Sequence, residues 1–362
     1  MSLKHAQEYR DPVIARRLAD RIAAASRRPI RLMEVCGTHT MSIFRHGIRS
    51  LLPETITLLS GPGCPVCVTA QSDIDAFVAL ARTPEVIVAT FGDLMRVPGT
   101  ESSLQLERAA GADIRIVYST FDALTIAEEH PDKKIVFLGV GFETTAPTIA
   151  ASLSAARDMG RKNFFVFSAH KLVPPALEAL MHFPGVTLDG FILPGHVSVI
   201  LGEDGYRSFF ERFSVPCVIT GFEPVDILQG IFRLAVQIET GAPALENAYP
   251  RAVTVEGNQK ARRLMDAVFE PADAVWRGLG SIAQSGLRIR PTYADFDAAR
   301  HFDLALPEPV EPKGCACGDI LTGAKSPPEC ALFKTVCTPM DPVGPCMVSS
   351  EGTCAAYYRY KE

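Results

Sequence analysis

Several common functions are excluded by what this 362-residue chain lacks. No apolar run approaches the roughly 20 residues that cross a bilayer, so no membrane-spanning helix is expected. Its 36 basic and 41 acidic residues leave a formal net charge of −5, which offers no basic footprint for nucleic acid. A GxxxxGK[ST] phosphate loop is missing. So is a signal-peptide h-region: MSLKHAQEYRDPVIARRLADRIAAASRRP is charged throughout and reads as an amphipathic helix carrying Val13, Ile14, Leu18 and Ile22. A cytoplasmic location is therefore expected, where thiols stay reduced and clustered cysteines are more often reactive or metal-binding than stapled.

What is present is an ordinary globular composition, 47% hydrophobic and 21% charged, with length for two or three domains. From residue 30 to about 230, β-rich runs alternate with helix-length segments. These runs are IRLMEV (30–35), ITLLS (56–60), VIVATFG (86–92), IRIVYS (114–119), KIVFLGV (134–140), FFVFSA (164–169), LDGFILPG (188–195) and CVITGF (217–222). Continuous apolar runs joined this way predict buried parallel strands in an α/β layer.

The two sets of four correspond in order. CGTHT (36–40) matches GFETT (141–145) at an offset of 105, Ser60 matches Ser168 at 108, Gly92 matches Gly195 at 103, and Phe121 matches Phe222 at 101. Near-equal offsets point to an internal duplication, with one lobe at 30–130 and a second at 131–230. The remaining 231–362, together with helix 1–29, is expected to form a cysteine-rich third domain. The alternative is that any two α/β units look alike at this level.

Nine of the ten cysteines fall in two neighbourhoods, and only Cys217 stands apart. Cys36 directly follows the first strand, with Gly37 permitting a tight turn. A thiol at a helix N-terminus is expected to have its thiolate favoured by the dipole, and His39 is positioned as a second ligand or proton partner. GPGCPVC (61–67) makes Cys64 and Cys67 a CxxC pair, better suited to a reversible dithiol than to a zinc knuckle. Glu143 in GFETT and His196 in PGHVS also sit at expected strand ends, where open α/β sheets bind ligands. Asp93 and Arg96 stand at another, and read equally well as a structural ion pair.

The tail holds Cys315, Cys317, Cys330, Cys337, Cys346 and Cys354 among Gly, Pro and small residues. Such a segment is not easily organised by apolar burial alone. All-cysteine ligation favours zinc or iron–sulfur, and the absence of paired CxxC spacings favours a cubane cluster.

These segments together resemble the HypD family of [NiFe]-hydrogenase maturation proteins over essentially the whole chain. The likeness runs from MEVCGTHTMSIFRHGIRSLLP through GPGCPVC, GFETT and PGHVS to PVGPCMVSSEGTCAAYYRY. It implies two related α/β lobes and a third domain carrying a [4Fe–4S] cluster. The family's C-x14-C-x6-C-x16-C spacing falls on Cys315, Cys330, Cys337 and Cys354, leaving Cys317 and Cys346 over. The resemblance further implies that Cys36 holds iron at an interface with the small protein HypC, where an iron unit bearing CN and CO is built. Cys64 and Cys67 would be a redox pair beside it, with His39, Glu143 and His196 in the same cleft. Cyanide would come from HypE, charged by HypF, and the unit would pass to the hydrogenase large subunit. The family often has a second histidine in the first motif where this chain has Met41. A stand-alone iron–sulfur and dithiol oxidoreductase is the competing reading, and a structural zinc protein a third.

Overall fold

The structure is a computed structural model that describes residues 8–360. All eight expected runs are strands: β1 (Ile30–Glu34), β2 (Ile56–Ser60), β3 (Val86–Thr90), β4 (Ile114–Ile116), β5 (Lys134–Gly139), β6 (Phe164–Ser168), β7 (Gly190–Pro194) and β8 (Cys217–Thr220). A ninth, β9 (Leu245–Asn247), extends one sheet, and β10 (Phe269–Trp276) with β11 (Gly280–Ile289) forms an antiparallel hairpin. The first sheet has the order β2-β1-β7-β8-β9 and the second β4-β3-β5-β6, with every pair parallel. The α/β class with parallel sheets therefore stands.

The expected lobe boundary at residue 130 does not describe the pairing. β1 and β2 pair with β7 and β8, whereas β3 and β4 pair with β5 and β6. Each sheet thus takes the first two strands of one repeat and the last two of the other. When β5 to β8 are matched with β1 to β4 in order, both sheets have the same strand order, as a duplication with exchanged halves requires. Each chain half crosses between sheets after its second strand, a move that strand patterning cannot reveal.

The boundary at residue 231 also shifts, because it cuts the helix Pro224–Thr240, which packs on β7 and β8. The N-terminal helix Pro12–Ala25 packs on that same helix, through Leu18 and Ile22, and so joins the first sheet rather than the tail. Asp11 caps it, accepting from the Val13 and Ile14 N–H groups. Val13 and Ile14, expected on its apolar face, are exposed, and Ala15 and Ala19 are buried in their place. Residues 1–7 of the expected helix lie outside the described residues. No described helix is long and apolar enough to cross a membrane.

The exchange creates a switch point in each sheet, where successive connections leave in opposite directions and a crevice opens at the strand C-termini. In the first sheet it lies between β1 and β7, and in the second between β3 and β5. Cys36 follows β1 and His196 follows β7, while Asp93 follows β3 and Glu143 follows β5.

Candidate functional site

Cys36 caps the helix Gly37–Arg45 with extended backbone (φ −151°, ψ 120°). Its N–H donates to Glu34 Oε2 at 3.0 Å, and the Thr40 hydroxyl donates to Glu34 Oε1. Thr38 donates to Glu351 Oε1 at 2.7 Å, which brings the C-terminal segment over the loop. The expected depressed thiol is not found. Burial pushes Cys36 up to about 12, the helix N–H groups offset this only in part, and the nearby Glu351 and Glu34 add to it. Glu34 is itself buried and raised to about 7, again by burial first. Sequence reading passed over both carboxylates. An acid within the apolar run IRLMEV was a usable signal for Glu34, but Glu351 had none.

His39 is fully buried. Its Nε2 lies 2.9 Å from both the Gly221 carbonyl and the Thr220 hydroxyl. A carbonyl only accepts, so the proton sits on Nε2, and Nδ1 keeps a free lone pair with no partner. Burial lowers the ring to about 4, so it is neutral. Phe222 lies between two imidazoles, with His39 at 4.7 Å and His196 at 4.0 Å between ring centroids. His196 is exposed, and Phe222, which follows β8, packs on both rings, so His39 and His196 lie together at the ends of β1, β7 and β8.

Cys64 and Cys67 form a disulfide with a Cα–Cα distance of 5.2 Å, and both are buried. Gly37 N–H donates to Gly63 O at 2.9 Å, tying this loop to the Cys36 loop. On its other side, the helix Pro65–Val68 packs on Pro345–Val348, which carries Cys346.

The second sheet supplies Glu143, 1% exposed, whose Oε1 accepts from Val173 N–H at 2.9 Å while Oε2 has no partner. Burial raises it to about 7. Tyr206 connects the two sheets' residues: its hydroxyl lies 3.2 Å from Ser198 Oγ and is pushed up by burial, with Glu143, Cys36 and Cys217 near enough to add to the shift. Other strand-end residues are structural, and Asp93 and Arg96 act separately rather than as the expected ion pair. Arg96 donates to Pro339 O and Val348 O, and Asp93 accepts from Ser349, so both hold the tail. Lys171 pairs with Asp73 at 3.3 Å.

In the tail, Cys317, Cys330, Cys337, Cys346 and Cys354 are buried and Cys315 is half-buried. They share one core with Val35, Cys64, Cys67 and Trp276. Cys317 and Cys346 place their sulfurs 2.8 Å apart. Burial raises Cys354, and Cys317, Cys315, Cys337 and Cys330 raise it further, so these thiols converge. Gly344 lies bare against them, where a Cβ would stand 2.7 Å from Cys315 Sγ. Among the described residues no three His, Cys, Asp or Glu side chains are drawn up around a single ion. Neighbouring thiols, a bare glycine against Cys315 and the nearby buried Arg277 are a donor set that a thiolate-bound iron–sulfur group would fit.

The chain matches known proteins over nearly its full length. The HypD family profile, described as the "Hydrogenase formation hypA family", matches residues 13–361. The hydrogenase maturation factor HypD of Azotobacter vinelandii is 47% identical over 367 aligned positions, covering 99% of this chain and 97% of its own. That of Cupriavidus necator is 45% identical over 368, covering 99% and 97%. A putative hydrogenase expression/formation protein of Methanocaldococcus jannaschii is 46% identical over 332, covering 92% of each chain.

Proposed function

The chain belongs to the HypD hydrogenase-formation family, and we propose that it serves [NiFe]-hydrogenase maturation as a cytoplasmic scaffold and redox protein. Its cargo is an iron unit bearing CN and CO, held at Cys36 together with a HypC-type partner. Cyanide is received from HypE, which HypF charges, and the unit passes to the hydrogenase large subunit. Cys315, Cys330, Cys337 and Cys354 hold a [4Fe–4S] cluster, which supplies a one-electron reservoir when bound.

The observation that carries this reading is the packing of the Cys64–Cys67 loop on the Cys36 loop at a sheet switch point, with the cysteine-rich tail on its far side. A soft thiolate at Cys36 suits iron with strong-field ligands. Raised to about 12, the Cys36 thiol is protonated near neutral pH, so cargo binding displaces its proton. Glu34, held next to it and raised to about 7, is placed to accept that proton. His39 stays neutral with Nδ1 bare, and offers a lone pair or a hydrogen-bond acceptor at the crevice wall. His196, exposed at the end of β7, lines the approach, and Glu143 stands buried at the end of β5. An external two-electron reductant, with two protons taken up, would convert the Cys64–Cys67 disulfide to a dithiol beside the cargo.

A stand-alone thiol–disulfide oxidoreductase fits less well, since exchange needs an accessible sulfur and these two are 4% and 0% exposed. The test is complementation of a host lacking its own copy. Cys36→Ala and Cys64→Ser are expected to abolish hydrogenase activity at normal protein levels. Catalytic disulfide turnover by the isolated wild-type protein would favour the oxidoreductase instead.

A further inference from the structure

The hairpin turn after β10 buries an arginine that makes no ion pair among the described residues. Arg277 is 2% exposed. Its backbone N–H donates to Val68 O and its Nε–H to Thr69 O, both at 2.9 Å, which fixes it to the segment just after Cys67. Nη1 and Nη2 have no hydrogen-bond partner. A buried cation with unused N–H donors is costly unless an opposite charge meets it.

Cys317, the exposed Glu311, Cys346 and Cys315 lie near enough to act on its charge, and of these thiols Cys315 belongs to the C-x14-C-x6-C-x16-C set. The neighbouring Gly278 packs on Gly318, where an added Cβ would stand 2.3 Å from the Gly318 Cα, so the turn is pressed against the helix that begins at Cys317. Arg277 is thus clamped between the CxxC segment, which takes its backbone N–H and Nε–H, and the cysteine-rich tail, against which the next residue packs.

We propose that Arg277 is the buried counter-charge of the tail's thiolate-bound iron–sulfur cluster, donating hydrogen bonds from its Nη groups to sulfur and holding the cluster in register with the Cys64–Cys67 segment. This rests on the cluster reading given above. Each electron that such a cluster accepts adds one negative charge, so a fixed cation beside it favours the reduced form and raises its potential. A planar guanidinium suits this place because its fork directs several N–H donors at once, which a lysine ammonium on a flexible stem does not. Arg277 is a positioning residue that sets the potential and does not contact the cargo.

The test uses the full chain purified without oxygen as wild type, Arg277→Lys and Arg277→Met. Iron and sulfide content, thermal melting and an EPR-monitored reductive titration are measured for each. At a fixed potential the ratio of reduced to oxidised cluster should fall about tenfold in Arg277→Met, a shift of about 59 mV to more negative values. Arg277→Lys should keep the iron and recover most of that shift. Cluster loss in Arg277→Met with retention in Arg277→Lys also supports the charge. A wild-type potential in a fully loaded Arg277→Met overturns the proposal, as does equal iron loss from both variants with unchanged melting. A wild type reconstituted with iron and sulfide that holds no cluster would instead overturn the cluster reading itself.

Discussion

Gly63 lies against the backbone of Cys36. A Cβ at residue 63 would stand 2.1 Å from Cys36 N and 2.4 Å from Cys36 Cα, closer than any side chain tolerates. The glycine in GPGCPVC is therefore required by the contact between two loops, each of which carries thiols. Gly63→Ala must push them apart, with an expected loss of about 1–3 kcal/mol, typical of overpacking, in urea unfolding. The same variant should lose its capacity to retain iron through Cys36. An alanine variant with wild-type stability would show that the loops are not packed as described.

Cys36 should resist alkylation. With burial holding its thiol at about 12 against an ordinary 9, its thiolate fraction near pH 8 falls about a thousandfold. Mass spectrometry after iodoacetamide treatment of the native chain should find Cys36 unmodified, and modified once the chain is unfolded. Rapid labelling in the folded protein would restore the activated thiol that helix position alone suggests.

Glu143 should leave a signature in the pH dependence of stability. Burial raises it from 4.5 to about 7, so the folded chain binds its proton more tightly than the unfolded chain does. Between those values the folded state holds more protons, and stability falls as pH rises. The buried His39 and His170, lowered to about 4 and about 3, act in the opposite direction below 6.5. The comparison must therefore be wild type against Glu143→Gln, in which the histidines cancel. The stability difference should move by about 3 kcal/mol in favour of the variant between pH 4.5 and pH 8. A difference independent of pH would mean that Glu143 is solvated.

Strand positions were legible because buried parallel strands read as unbroken apolar runs, and all eight such runs formed strands. The pairing was not. Whether β2 is followed in space by β3 or by β7 depends on a crossover between sheets, and no residue pattern records it. β9 and the β10–β11 hairpin escaped notice as well, since EPADAVW alternates weakly and has a bulge between Ala272 and Ala274. At the site, Cys36, Cys64, Cys67, His39, Glu143 and His196 were legible as reactive types beside glycine at strand ends. Glu351 and Arg277 were not, because their importance comes from packing against segments distant in sequence, whereas Glu34 stood out only as an acid within an apolar run. Burial reversed the expected state of Cys36, where desolvation outweighs the helix dipole.

The central claim is that Cys36 anchors an iron unit carrying diatomic ligands. An infrared spectrum tests it most directly, recorded on the protein co-expressed with its HypC-type partner and purified without oxygen, with Cys36→Ala alongside. Cyanide and carbonyl stretches present in wild type and absent from the variant are the predicted result. Stretches of equal intensity in Cys36→Ala, with the partner still bound, would contradict the claim and move the iron away from Cys36.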